Sequence, residues 1–272
     1  ERFTFFCRAA LAALARSGMK VDVLHCNDWQ SGLIPALINA SPDRYPGLSD
    51  AATLMTIHNM AYQGQFNAEA FRWTVLDWNH FHHDSFEFYG QLNFMKAGIA
   101  SADHVTTVSP RYAMEIQTPQ HGCGLEGVIG AKGGRVTGIT NGIDQTIWNP
   151  STDVKIPARY GRDDWYDGKA ANKKSLQAEF GLEVSEEVPM IGLVGRLADQ
   201  KGWDLILPLI WRHVQENRPT QCMILGSGDN AMAMAALGHG EAFVAAHQMN
   251  ENEARHYRRW ASRFHSVAGG AI

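Results

Sequence analysis

Residues 193–202 have the sequence LVGRLADQKG, which places Arg196 and Lys201 in a glycine-bounded turn. The apolar run before the turn, residues 189–194, is typical of a buried parallel strand, and residues 203–214 have the pattern of a following helix. Both cations therefore lie at the carboxyl end of a strand and near a helix N-terminus, where a bound anion is stabilised. The stretch predicts a diphosphate-binding loop, and an ordinary solvated loop is the alternative.

Short apolar runs alternate with helical stretches on both sides of this loop, which is the pattern of an α/β protein with parallel sheets. Strands are expected at residues 21–26, 53–57, 105–108, 136–139, 190–194 and 222–225. Helices are expected at residues 1–16, 33–40, 92–100, 111–117, 173–180 and 203–214. Ser31 is the candidate N-cap of the second helix, and Gly18 is the expected stop of the first.

The composition changes between residues 148 and 188, where Pro, Asp, Lys and Trp become frequent. We therefore predict a first α/β unit over residues 1–147, a connector over residues 148–188 and a second α/β unit over residues 189–272. Two such units joined by a crossing segment are expected to face a ligand-binding cleft at the carboxyl ends of their strands.

The overall composition excludes several classes of protein. Of 272 residues, 45% are hydrophobic and 10% aromatic, as in a globular protein, and the formal net charge of -4 gives no reason to expect nucleic acid or an anionic membrane as a partner. The four cysteines are widely spaced, so neither a zinc site nor a disulfide framework is predicted. No apolar run is long enough to cross a bilayer. We expect a cytoplasmic protein.

Polar side chains recur where the predicted strands end. Asp28 follows the first strand, His58 and Asn59 follow the second, and Asn141 lies in the turn after the fourth. Carboxylate, imidazole and amide groups at such positions can bind sugar hydroxyls or phosphate. The alternatives are a helix cap for Asp28 and a structural role for His58. In the second unit the strand at residues 222–225 is followed by the turn that contains Gly226 and Gly228.

Two motifs are predicted not to have the function that their residue types suggest. Residues 122–127, GCGLEG, match G-x-G-x-x-G, but they follow a helix and a polar stretch, whereas a dinucleotide site requires a preceding strand. A glycine-rich loop near a substrate is the preferred interpretation. Residues 80–84, HFHHD, contain metal-ligating residue types without a second ligand pair at a recognisable spacing, so they predict a solvated turn and no metal site.

Four segments together resemble bacterial glycogen synthase and plant starch synthase: DVLHCNDWQSG at 22–32, TIHNMAYQG at 56–64, GITNGID at 138–144 and the loop at 195–202. The resemblance covers roughly residues 1–230. It implies a GT-B fold of two Rossmann-like domains facing a cleft, both incomplete here. Such enzymes transfer glucose from ADP-glucose to the non-reducing end of an α-1,4-glucan with retention of anomeric configuration. By resemblance, residues 1–147 belong to the acceptor-side domain and residues 189–272 to the nucleotide-sugar domain.

The resemblance also implies the roles of individual residues. Arg196 and Lys201 would hold the diphosphate, and His58 would lie beside the transferred glucose. The catalytic residues expected are His58, Arg196 and Lys201. The substrate-binding residues expected are Asp28, Asn59, Asn141, Gly226 and Gly228. No metal and no cofactor is expected, and the partners are ADP-glucose and the glucan.

Two family motifs, Lys-x-Gly-Gly-Leu and Glu-x-Cys-Gly-Leu, would precede Glu1 and follow Ile272. Because the second contains a catalytic glutamate, we expect this fragment to be inactive alone. Two other functions stay open: another GT-B sugar-nucleotide enzyme such as an epimerase, and a non-catalytic glucan-binding module. The residues themselves do not distinguish ADP-glucose from UDP-glucose, and a plant origin would change the expected compartment to the plastid.

Overall fold

The structure is a computed structural model, and it describes residues 1–216, 219–225 and 243–244. The chain divides into two compact units, Glu1–Gly142 and Ile143–Ile272. Each unit contains a parallel sheet with helices in the connections between its strands. The predicted α/β class is therefore confirmed.

The first unit alternates helices and strands along the chain. In order, its elements are α1 (Arg2–Ser17), β1 (Val23–Asn27), α2 (Asp28–Ser31), α3 (Leu33–Ala40), β2 (Ala52–Ile57), β3 (Gln65–Asn67), β4 (Glu87–Phe88), β5 (Gln91–Asn93), α4 (Phe94–Ser101), β6 (His104–Thr107), α5 (Pro110–Glu115), α6 (Glu126–Gly130) and β7 (Val136–Gly138). Short 3-10 helices lie at Pro42–Arg44, Ala68–Thr74, Trp78–His80 and Gly133–Arg135.

The main sheet of the first unit has the strand order β1-β2-β6-β7, and every neighbouring pair is parallel. Asn27 pairs with Thr56, Ile57 with Thr107, and Thr107 with Gly138. The register therefore brings the carboxyl ends of all four strands to one edge, where the polar residues that follow them lie near one another.

Helices pack on this sheet through apolar side chains, and one close contact between two glycines lies within the helical layer. Leu11 of α1, Leu37 of α3 and Met55 of β2 are fully buried in one continuous core. A Cβ on Gly98 of α4 would lie 2.9 Å from the backbone oxygen of Gly32, so the two backbones approach within contact distance there. The contact brings α4 against the N-cap residue of α3.

The sequence predicted the elements of this sheet, with bounds shifted by one or two residues, but one cap is wrong. α1 ends as expected, with Gly18 in the left-handed region at a φ of 68°. Ser31 does not cap α3, because Gly32 holds the N-cap position. Ser31 is the last residue of α2 instead, and its hydroxyl donates to the backbone oxygen of Asn27 at 2.8 Å. This local bond satisfies the side chain within α2.

A small antiparallel sheet, with the order β3-β5-β4, was not predicted. Its strands are two or three residues long. Strands of that length contain too few residues for an alternating apolar pattern, so the sequence offers no periodic signal for them.

The second unit contains α7 (Trp165–Glu179), β8 (Met190–Val194), α8 (Trp203–Gln215), β9 (Gln221–Leu225) and β10 (Phe243–Val244). Its parallel sheet has the order β10-β9-β8. α7 begins at Trp165, eight residues before the predicted start at residue 173. The prediction missed the first half of the helix because that half is polar and has no apolar stripe to indicate a helix. Within the described residues, no helix combines the length and apolar character needed to span a membrane.

Candidate active site

The ends of β1 and β2 are tied together by Asn27, Asp28 and His58. Asp28 has a left-handed backbone with a φ of 55°, and its Oδ1 accepts a hydrogen bond of 2.8 Å from the backbone N–H of His58. The imidazole Nε2 of His58 donates to Oδ1 of Asn27 at 3.0 Å. The structure thus brings two predicted site residues, Asp28 and His58, into direct contact, and the Asp28 side chain bonds this loop and not the N-terminus of α2.

The segment after His58 is fixed by a turn and by a tyrosine from α5. Oδ1 of Asn59 accepts a hydrogen bond of 3.0 Å from the backbone N–H of Ala61, which closes a turn. The hydroxyl oxygen of Tyr112 accepts one of 3.0 Å from the backbone N–H of Met60. Burial raises the pKa of the Tyr112 phenol, so it stays neutral at physiological pH. Tyr112 was not predicted, because its contact joins segments far apart in the sequence.

A buried glutamine connects the same segment to the glycine-rich loop at residues 122–127. Gln63 is 6% exposed, and its Nε2 donates to the backbone oxygen of Cys123 at 2.9 Å. Its Oε1 accepts hydrogen bonds from Asn93 Nδ2 at 2.7 Å and from Gln65 Nε2 at 2.8 Å. The glycine-rich loop follows α5 and a turn, without a strand before it, which confirms that it is not a Rossmann fingerprint.

Gly64, the next residue, allows this segment to lie against an aromatic ring. Its φ is +64°, and a Cβ there would lie 2.3 Å from Cε3 of Trp29. Trp29 follows Asp28 in α2 and also contacts the ring of Phe94 at the start of α4. The glycine therefore serves both as a left-handed turn residue and as the surface on which the Trp29 ring packs.

Asn141 lies in the loop after β7 and is exposed. β7 pairs with β6, and the backbone N–H of Ile139 continues the ladder to the oxygen of Thr107 at 2.8 Å. Asn141 therefore follows the same edge of the sheet as Asp28 and His58. Among the hydrogen bonds of the described residues, none joins it to either side chain.

In the second unit, Arg196 and Lys201 occupy the expected loop between β8 and α8. Leu197 is 3% exposed and packs with Trp203 and Ile224. The indole N–H of Trp203 donates to the backbone oxygen of Arg196 at 3.1 Å. Both cationic side chains are exposed, and no ion pair joins either of them to a carboxylate in the described part of the chain. A buried anchor thus holds a loop whose two cationic side chains are exposed to solvent.

Comparison with known proteins identifies the family. A family model for the starch synthase catalytic domain matches residues 1–131. The glycogen synthase of Rhodopirellula baltica is 56% identical over 84% of the chain and 45% of the relative. This chain belongs to the glycogen and starch synthase family. A glycogen synthase of Anaeromyxobacter dehalogenans is 44% identical over 97% of the chain and 56% of the relative. The similarity to this relative therefore extends beyond residues 1–230, where the sequence analysis had placed it. The chain spans about half the length of the curated relatives it matches.

A solved structure of this glycogen and starch synthase family supports the fold. The catalytic domain of starch synthase IV from Arabidopsis thaliana, bound to ADP and acarbose, resembles the chain with a TM-score of 0.81 and 32% identity. The similarity covers 96% of this chain and 54% of that chain. The predicted family resemblance and the GT-B type of fold are confirmed.

The remaining predicted features concern two glycines, one histidine-rich segment and the cysteines. Gly226 and Gly228 lie outside the described residues. The segment at residues 80–84 forms the predicted solvated turn, in which the side chains of His83 and Asp84 are 83% and 74% exposed. No group of three His, Cys, Asp or Glu side chains among the described residues is arranged to hold a metal ion. The four cysteines are free thiols.

Proposed function

We propose that this chain is part of a retaining glucosyltransferase that moves glucose from ADP-glucose to the non-reducing end of an α-1,4-glucan. The observation that carries this proposal is the 56% identity to a glycogen synthase over 84% of the chain. The similar starch synthase IV structure holds ADP and acarbose, which fits a nucleotide-sugar donor and a glucan acceptor. The proposed compartment is the cytoplasm.

Arg196 and Lys201 are the proposed diphosphate ligands. Cleavage of the bond between glucose and phosphate increases the negative charge on the departing ADP. Fixed cations stabilise that charge more in the transition state than in the ground state. Because Leu197 and Trp203 hold the loop, the two cations are positioned before the donor binds. Both side chains are exposed, so they are accessible to a bound diphosphate.

The proposed sugar-side residues are His58, Asp28, Asn59 and Asn141. Gly226 and Gly228 are also proposed to bind substrate. Positive charge that develops at the anomeric carbon requires the hydroxyls to be oriented and water to be excluded. The hydrogen bond from Nε2 of His58 to Asn27 gives the imidazole one orientation at the sheet edge, and Asp28 holds the backbone of His58. We assign no nucleophile to this chain.

Two alternative functions differ from this one in the molecules that the protein would bind or convert. A sugar-nucleotide epimerase would convert its donor without a glucan, and a glucan-binding module would bind oligosaccharide and ignore nucleotide. The comparisons do not favour either, because the relatives matched are synthases.

The experiment that tests this proposal measures the incorporation of radiolabelled glucose into glycogen by the longer protein that contains this chain. ADP-glucose and UDP-glucose are supplied in parallel, and the 272-residue chain alone is the third sample. We expect transfer from ADP-glucose by the longer protein and none by the chain alone. Preferential transfer from UDP-glucose would contradict the donor assignment, and donor conversion without glucan would support the epimerase.

A further inference from the structure

A cavity on the first unit is lined by three arginines and by none of the proposed active-site residues. Arg8 and Arg16 belong to α1, and Arg44 ends the short helix Pro42–Arg44. The cavity has a volume of about 330 Å³. No acidic residue lines it in the part of the chain that the structure describes. Three guanidinium groups therefore share one concave site without a counterion.

The sequence of α1 explains why this space stays open. Arg8 and Arg16 are eight residues apart, which places them on one side of the helix and about 12 Å apart along its axis. Ala12 and Ala15 line the cavity between them, and their methyl groups do not fill it. Tyr45, which is 2% exposed, also lines the cavity. The site thus combines arginine side chains with apolar lining from alanine and tyrosine.

Structural roles account for only part of this cluster. Nη1 of Arg8 donates to the backbone oxygen of Trp73, and Nη1 of Arg44 donates to that of Val75, both at 3.2 Å. These bonds cap the end of the 3-10 helix Ala68–Thr74 and use one of the five N–H groups of each guanidinium. Nε of Arg8 is buried and has no hydrogen-bond partner among the described residues. Arg16 makes no ion pair or hydrogen bond that would neutralise it there.

We propose that this cavity binds the phosphate group of a small phosphate ester. Guanidinium groups match phosphate oxygens in paired hydrogen bonds, and an anion would compensate the charge that Arg8 holds in a partly buried position. A cavity of this size takes a small organic molecule, so the alanine and tyrosine walls would contact the body of the ester. Because the whole chain has a net charge of -4, general attraction for anions does not explain such binding.

The test is isothermal titration of the chain with inorganic phosphate, glycerol 3-phosphate and citrate. Every titration is repeated in an Arg196→Ala/Lys201→Ala background, which removes the proposed diphosphate ligands. We expect one saturable phosphate site that persists in that background and binds glycerol 3-phosphate more tightly than inorganic phosphate. Loss of binding in that background would place the phosphate at the donor loop and overturn the proposal, while leaving the proposed transferase function intact.

Three variants distinguish this cavity from diffuse charge. Arg16→Ala is expected to weaken binding about tenfold or more, because a charged hydrogen-bonding partner is lost. Arg16→Lys keeps a cation at the end of α1 but loses the paired geometry, so it should weaken binding by a smaller factor. Lys20→Ala is the control, since its side chain is 90% exposed and does not line the cavity. Equal weakening by Arg16→Ala and Lys20→Ala, tighter binding of citrate, or no saturable binding would each overturn the proposal.

Discussion

Nε2 of His58 lies 3.0 Å from Oδ1 of Asn27, so a residue at the end of β1 orients the imidazole at the end of β2. The backbone of His58 is held separately by Asp28 at 2.8 Å. Removal of the Asn27 amide should therefore release the ring while the backbone stays in place.

Asn27→Ala is expected to lower the rate of glucosyl transfer by the longer protein about tenfold or more, because an unfixed imidazole leaves its productive position. Initial rates with ADP-glucose and glycogen measure this. Asn39→Ala is the control, since Asn39 is also exposed and makes a single bond of 3.0 Å, to the backbone oxygen of Ser101. Equal losses in the two variants would show that Asn27 does not position His58.

Gly64→Ala is expected to destabilise the first unit by about 2–4 kcal/mol, because the new methyl group would overlap the Trp29 ring in addition to straining the backbone. Gly90→Ala is the matched control, with a φ of +75° and nothing within 4 Å of the added Cβ. It should cost only about 1 kcal/mol. Urea unfolding gives both values, and equal costs would mean that the Trp29 contact contributes nothing.

Trp203→Phe is expected to weaken ADP binding about three- to tenfold, since the ring stays apolar but the backbone oxygen of Arg196 loses its donor. Titration with ADP measures the change. Trp165→Phe removes an indole that is 51% exposed on α7, and it should leave the affinity unchanged. Unchanged affinity in Trp203→Phe would show that the hydrogen bond from Trp203 does not contribute to binding of the diphosphate.

Asp103 makes stability dependent on pH. The backbone N–H and the hydroxyl of Thr53 donate to Oδ2 of Asp103 at 2.7 and 2.8 Å, and these bonds lower the pKa of the carboxyl. A lowered pKa in the folded state means that the stabilisation is complete above the unfolded value, near 3.8, and is lost as the pH falls through the folded value.

Asp103→Asn should therefore reduce the free energy of unfolding at neutral pH, and the difference from the unmodified chain should shrink below about pH 4. Asp50→Asn, which changes an exposed carboxyl in the loop before β2, should show no such trend. Urea unfolding at several pH values measures both. A difference for Asp103→Asn that stays constant down to low pH would contradict the assignment.

The strands of the parallel sheets, apart from the two-residue β10, were predictable because each is an apolar run with a turn or helix signal beside it. The loop at residues 193–202 was located correctly for the same reason. The bonds that organise the sugar-side edge were not predictable, since Gln63 reaches Asn93 and Cys123 across intervening elements. A sequence shows that these side chains are polar but not which distant groups satisfy them.

Ser31 illustrates the same limit at short range. A serine directly before an apolar helical run is a normal N-cap signal, yet the left-handed Asp28 starts a separate helical turn that includes Ser31. Positive φ at a non-glycine residue is uncommon even for Asp, which adopts it more readily than most residues, and here it occurs at a predicted site residue.

The most direct test of the proposed function is the transfer of glucose from ADP-glucose to glycogen by the longer protein carrying Arg196→Ala/Lys201→Ala. Arg212→Ala, an exposed cation on α8, is the control. We predict that the double variant loses about a hundredfold or more in kcat/KM while the control stays within about twofold, because the two loop cations stabilise the leaving diphosphate and Arg212 does not. An equal effect of both changes, or full activity of the double variant, would contradict the account.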